Sequence, residues 1–142
     1  MLTADEQLQR ETSPPVEAAE PVSTRAWLGE RIDGASGVLV AASFFVLFSI
    51  GAALEPRTSA PVPVIGVVLS VAFFTVLGLM TAGLLARRRW GLVAAVGAGV
   101  LLTAMSVACP TAGHHAFGLW WVGQMACALA MVAIGAVALL RA

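Results

Sequence analysis

The chain has 142 residues, 59% of them hydrophobic and 11% charged, against about 25% charged in an ordinary soluble domain. Mean hydropathy is +0.91. Eight basic and eight acidic residues cancel, and neither half of the chain has the dense basic face that nucleic-acid binding needs, which excludes a soluble globular protein and a nucleic-acid partner.

The neutrality is a sum of two opposite halves. Residues 1–33 carry seven acids and three arginines, whereas residues 34–142 carry Glu55 alone against five arginines. The bias toward Ala, Val, Leu and Gly points to a high-GC, bacterial genome. In chain order, residues 1–33 are polar and acidic, with Pro14, Pro15 and Pro21. They hold too few large apolar residues to offset their ordering entropy. They read as a disordered acidic cytoplasmic tail, ending in a short interfacial helix over 24–33. There Trp27, Leu28 and Ile32 form one helical face, expected to rest on the membrane surface.

Four apolar stretches follow, at about 35–54, 63–86, 90–108 and 117–140, and none contains Asp, Glu, Lys or Arg. Each approaches the ~20 residues needed to cross a bilayer core. Backbone groups in lipid must be satisfied within the segment, so all four are expected to be helices; the alternation of barrel strands is missing. The first stretch is longer than a signal-peptide core and has an acidic flank, so it is read as an uncleaved anchor. The links, Glu55 to Pro61, Arg87 to Arg89 and Cys109 to Ala116, are short. Short links make sequence neighbours antiparallel, so the expected fold is all-α, four antiparallel transmembrane helices in an up-down bundle. Arg87, Arg88 and Arg89 set its orientation, because basic loops stay cytoplasmic. Both termini are then cytoplasmic, in a multi-pass protein of the plasma (inner) membrane.

Lipid supplies no hydrophobic force between helices, so small residues must let backbones approach. Gly78 and Ala82 form such a stripe in the second span, and Gly91, Ala95 and Gly99 in the third; Gly123 serves the fourth. Such a stripe serves the bundle or self-association. Trp90, Trp120 and Trp121 fall at aromatic-belt positions.

The segment with most chemical potential gathers Met105, Cys109, His114 and His115 at one membrane face, followed by Trp121 and Gln124. Thiolate, thioether and imidazole suit Cu(I), giving one reading as an outward-facing ligand or metal site of Cys109, His114, His115, Trp121 and Gln124. The leading reading is an outer turn made by Pro110 and Gly113. Cys127 lies 12 residues beyond His115, about 18 Å deeper if helical, too far to share a metal or to bridge Cys109. Gln124 shares a helical stripe with Trp120, Cys127 and Met131; it is read as bonded to a neighbouring helix, or as the wall of a small pocket open to the outside.

Several activities are excluded. Haem needs axial ligands on opposite faces of the ring, and the two histidines are neighbours in one loop. Gly34-Ala35-Ser36-Gly37 resembles the GxSG stretch of rhomboid proteases over four residues. The expected topology separates Ser36 from the histidines by about 30 Å, beyond reach of any base, and Ser36 is read as a helix-start residue. Proton-coupled export needs an ionisable group within the membrane, and the spans have none. The expectation is a non-enzymatic accessory or assembly subunit with no cofactor. Its partners are the lipid bilayer and a second copy or a larger membrane complex. The alternatives are a small-ligand or metal binding or transport protein and a holin-like pore former.

Overall fold

Prolines, glycines and arginines place the helix ends. The computed structural model describes residues 23–56, 63–113 and 117–142. The expected disorder of residues 1–22 and the positions of His114 and His115 lie outside these residues. Among the described residues the secondary structure is helical: α1 (Thr24–Leu28), α2 (Gly34–Leu54), α3 (Val64–Leu85), α4 (Arg89–Thr111) and α5 (Leu119–Arg141). Helices α2 to α5 are each long and apolar enough to cross a membrane.

Each long helix packs on its sequence neighbour, and α5 returns to α2. Phe44, Phe73, Met80, Leu92 and Met131 are fully buried where the helices meet. Phe48 of α2 lies 5.3 Å from Phe73 and 6.0 Å from Phe74 of α3, between ring centroids. On the outer surface of all four helices, large apolar residues such as Val38, Val68, Val100 and Leu129 are exposed.

The expected interfacial helix differs in extent and in role. Its helical part covers only Thr24–Leu28, capped by the Ser23 side chain, which accepts from the Ala26 amide at 3.2 Å. The chain then leaves the helix at Gly29 and runs across the α3–α4 link. The Ile32 amide donates to the Arg87 carbonyl and the Arg89 amide to the Glu30 carbonyl, both at 3.0 Å. Ile32 is buried in the core rather than resting on the membrane surface. Trp27 takes the guanidinium of Arg89 4.9 Å from its ring centroid. Short-range helix periodicity cannot foresee such a pairing with a link nearly sixty residues away.

The α3–α4 link is a tight reversal. Arg87 donates its amide to the Leu84 carbonyl at 3.0 Å, and Arg88 donates to the Gly83 carbonyl at 2.9 Å. This is a Schellman end for α3, and its left-handed position is usually glycine. Here it is Arg87, at φ 54°. So sharp a return brings α3 and α4 into backbone contact. A Cβ built at Gly83 would sit 2.5 Å from the Gly91 Cα, and one at Gly91 2.5 Å from the Leu84 nitrogen. Gly91 therefore packs as its stripe predicts, but its partner on α3 is Gly83. Gly78 and Ala82 are exposed, and a Cβ at Gly78 would meet nothing within 4 Å. The inward stripe of α3 is Phe73, Leu77, Met80 and Leu84. Small residues satisfied the expected spacing on one face, and large ones satisfied it on another.

Of the other small residues expected at contacts, Ala95 is fully buried. A Cβ at Gly99 would lie 2.8 Å from the Val132 nitrogen of α5, and one at Gly123 2.7 Å from Leu54 of α2.

Asp33 caps α2. Its carboxylate accepts from the Ser36 amide at 2.9 Å and from the Ser36 hydroxyl at 3.1 Å, so Ser36 is a helix-start residue. The Ser36 amide bond, chiefly, holds the Asp33 carboxyl below its ordinary 3.8, and the Arg87 charge acts in the same direction. A carboxyl lowered in the folded state stabilises the fold above its unfolded value. That contribution disappears as pH falls through the folded one.

Two outcomes are expected. Gly83→Leu forces a side chain into backbone and should cost at least ~1–3 kcal/mol, read as a lowered unfolding temperature in detergent, whereas Gly78→Ala should stay within about 0.5 kcal/mol. Lowering the pH of the detergent-solubilised protein below 3.8 should reduce its unfolding temperature more than that of Asp33→Asn, whose cap does not titrate.

Candidate functional site

At the end of the molecule opposite the α3–α4 link, Pro110 decides the local structure. It sits inside α4, which continues to Thr111 rather than stopping at residue 108. Proline has no amide hydrogen, so the carbonyl four residues earlier loses its helical donor. That carbonyl belongs to Ser106, and its partner is the indole Nε1–H of Trp121, which donates to it at 2.7 Å. Ser106 is buried, and its hydroxyl donates to the Leu102 carbonyl at 2.9 Å. Trp121 is therefore more than a belt residue. It crosses from α5 to repair α4, and its ring packs edge-on against Phe117 with centroids 5.4 Å apart. The turn at this end falls later than expected, with Gly113 in the left-handed region at φ 72° and its amide donating to the Pro110 carbonyl at 3.1 Å.

Next to this joint lies a cavity of about 190 Å³, reached by Gln124 from α5, Met105 and Cys109 from α4, and Glu55 at the end of α2; Phe48 and Phe73 form part of its apolar wall. A second cavity of about 190 Å³ between α3 and α4 shares Glu55, Met105 and Cys109 with the first. Gln124 is 9% exposed, and no hydrogen bond from the described residues reaches its side-chain amide. It is thus not bonded to a neighbouring helix. The amide is open to this cavity, so a polar group entering it would find a hydrogen-bonding partner there.

Of the residues expected at a site, Cys109 and Gln124 share this cavity. Trp121 serves the α4 backbone instead. Among the described residues no group of three His, Cys, Asp or Glu could hold a metal ion, and Cys109 and Cys127 are unbridged. Sequence reasoning did not place Glu55 at this site. The available signal was that it is the only acid after residue 33.

Removing the indole donor by Trp121→Phe should destabilise the protein by about 1–3 kcal/mol, the cost of an orphaned buried carbonyl. In a Pro110→Ala background the restored amide hydrogen can reach Ser106, so the same substitution should cost much less. A double-mutant cycle on unfolding temperature in detergent checks this; equal losses in both backgrounds would remove Pro110 from the explanation.

No protein family, curated protein or solved structure matches the chain.

Proposed function

We propose that this protein is a non-enzymatic integral membrane subunit. Its four long helices form an up-down antiparallel bundle, with the arginine link and both termini on the cytoplasmic side. The observation that carries this reading is the distribution of polarity. Large apolar side chains are exposed on every one of α2 to α5, a surface suited to lipid and costly in water. The arginines of the described chain gather at one end: Arg25 and Arg31 in the strap, the segment before α2 that crosses the α3–α4 link, then Arg87, Arg88 and Arg89 in that link, and Arg141 at the end of α5. Contact pairs in opposite residue order support the antiparallel arrangement: Gly99 meets Val132 while Gly135 meets Val96, and Leu54 meets Gly123 while Gly51 meets Cys127. An accessory or assembly role fits a bundle whose spans carry no acid or base.

A second reading has one specific observation behind it. Gln124, buried and without a partner among the described residues, faces a cavity near the outer end. This favours binding of a small ligand that offers a hydrogen-bond donor or acceptor. Cys109 and Met105 add soft sulfur to the same wall, as a metal site with His114 or His115 would require.

Orientation is checked with single cysteines at Ser23 and Thr58 in a Cys109→Ser/Cys127→Ser background. A membrane-impermeant maleimide on intact cells should label the Thr58 position and reach the Ser23 position only after lysis. Labelling in the reverse sense overturns the orientation, and labelling of both in intact cells overturns the bundle topology. Native mass spectrometry of the protein released from its own membrane should show a fixed stoichiometric partner; recovery as an isolated chain counts against the subunit role.

A further inference from the structure

Another cavity lies at the other end from Gln124. It is a groove of about 660 Å³ between the start of α2 and the end of α5, lined by Leu39, Ile134 and Val137 along its length and by Arg31, Asp33 and Arg141 at its mouth. Its size falls within the ~300–1,000 Å³ of small-molecule sites. The wall is apolar and the mouth is charged, with two arginines and one aspartate among the residues there. The Asp33 carboxylate accepts from Ser36, and the charge of Arg87 acts on it. The guanidinium of Arg87 lies over Gly34, where a Cβ would come within 2.9 Å of its Nε. Arg89 is spent on Glu30 and Trp27, and Arg88 on the Gly29 carbonyl. Arg31 and Arg141 are exposed, and among the described residues neither enters an ion pair.

We propose that this groove binds one anionic phospholipid, with the headgroup phosphate between Arg31 and Arg141 and an acyl chain along Leu39, Ile134 and Val137. The inference rests on the reading that α2 to α5 span a bilayer. An apolar channel with a two-arginine mouth at headgroup level matches the lipid's own division into tail and phosphate. A guanidinium presents paired donors that suit phosphate oxygens. Basic pockets between transmembrane helices hold anionic headgroups by the same chemistry.

The test uses the full chain in detergent, titrated with phosphatidylglycerol or phosphatidylcholine of identical acyl chains and read by native mass spectrometry. Wild type should retain phosphatidylglycerol in preference, with one lipid bound at saturation. Arg31→Gln/Arg141→Gln should weaken that binding by roughly an order of magnitude, given the attraction of two interfacial arginines, and leave phosphatidylcholine binding unchanged. Val137→Trp, which fills the channel, should reduce retention of both lipids. Arg25→Gln, a charge removed outside the groove, should change nothing. Equal retention of the two lipids by wild type overturns the proposal, and so does a preference that survives in the double variant. A loss with Arg25→Gln as large as with the double variant also overturns it, in favour of diffuse surface charge. Free glycerol phosphate competing as well as the whole lipid overturns the acyl-chain half. Circular dichroism of each variant confirms that the helices persist. Carbonate extraction of the wild type from native membranes tests bilayer insertion separately, so that release into the supernatant indicts the spanning reading and not the groove.

Discussion

The arrangement of this bundle depends on one backbone event, the reversal of the chain between α3 and α4 at Arg87. Two helices joined by so short a link must cross almost at the link itself, and only Gly83 and Gly91 leave room for it. The reversal places a non-glycine residue in the left-handed region, a conformation that costs roughly 1–2 kcal/mol for an L-residue. It is held from outside by the segment before α2. The Arg87 carbonyl accepts from Ile32, and the following arginines are anchored to Gly29 and Glu30. Ile32 then enters the core, and one residue later Asp33 starts α2. The strap and the turn stabilise each other: each satisfies polar groups that the other leaves open.

The opposite end solves a related problem with a side chain. In a bilayer no water relieves an unpaired carbonyl, so a proline within a span is tolerated where a neighbour supplies the missing donor. Pro110 frees the Ser106 carbonyl, and Trp121 fills it from the adjacent helix. The substitution of a tertiary hydrogen bond for a helical one ties α5 to α4. It does so close to where Gln124, one turn further along α5, opens on its cavity. Unlike Ser106, Gln124 has no such partner from the described chain. The contrast between these two polar groups, at similar depth, is what separates a structural hydrogen bond from a candidate binding group.

The four helices were legible because length and the exclusion of charge are properties of consecutive residues. Their limits came within three residues of the expected ones, the largest difference arising where Pro110 was read as a stop. Which face turns inward was less legible. The mean apolar character of α3 is so even that Gly78 and Ala82 looked as good a stripe as Phe73, Leu77 and Met80. In a lipid-facing helix, apolar residues are permitted on every side, so periodicity loses its power to point at the core. The strap was not legible at all, since its partners are distant in sequence. Cys109 and Gln124 were both named because they fall toward one membrane face, in a set that also held His114, His115 and Trp121, whereas Glu55 escaped because it was assigned to a connecting loop.

The arginines carry two roles that sequence alone cannot separate. Counted as charges, those near one membrane face all argue for the same orientation. Counted as side chains, they divide. Arg87, Arg88 and Arg89 are bound up in the reversal, its strap and the α2 cap, while Arg31 and Arg141 stand at the mouth of the groove. Neutralising the first group removes topological charge and unties the fold together, so an inverted or degraded product from such a variant would say little about insertion alone. Neutralising the second removes charge while leaving the strap's backbone bonds in place. On the proposed topology, orientation and the integrity of this turn are coupled through the same three residues. Arg31, Arg141 and Arg25, outside that group, allow charge to be varied by itself.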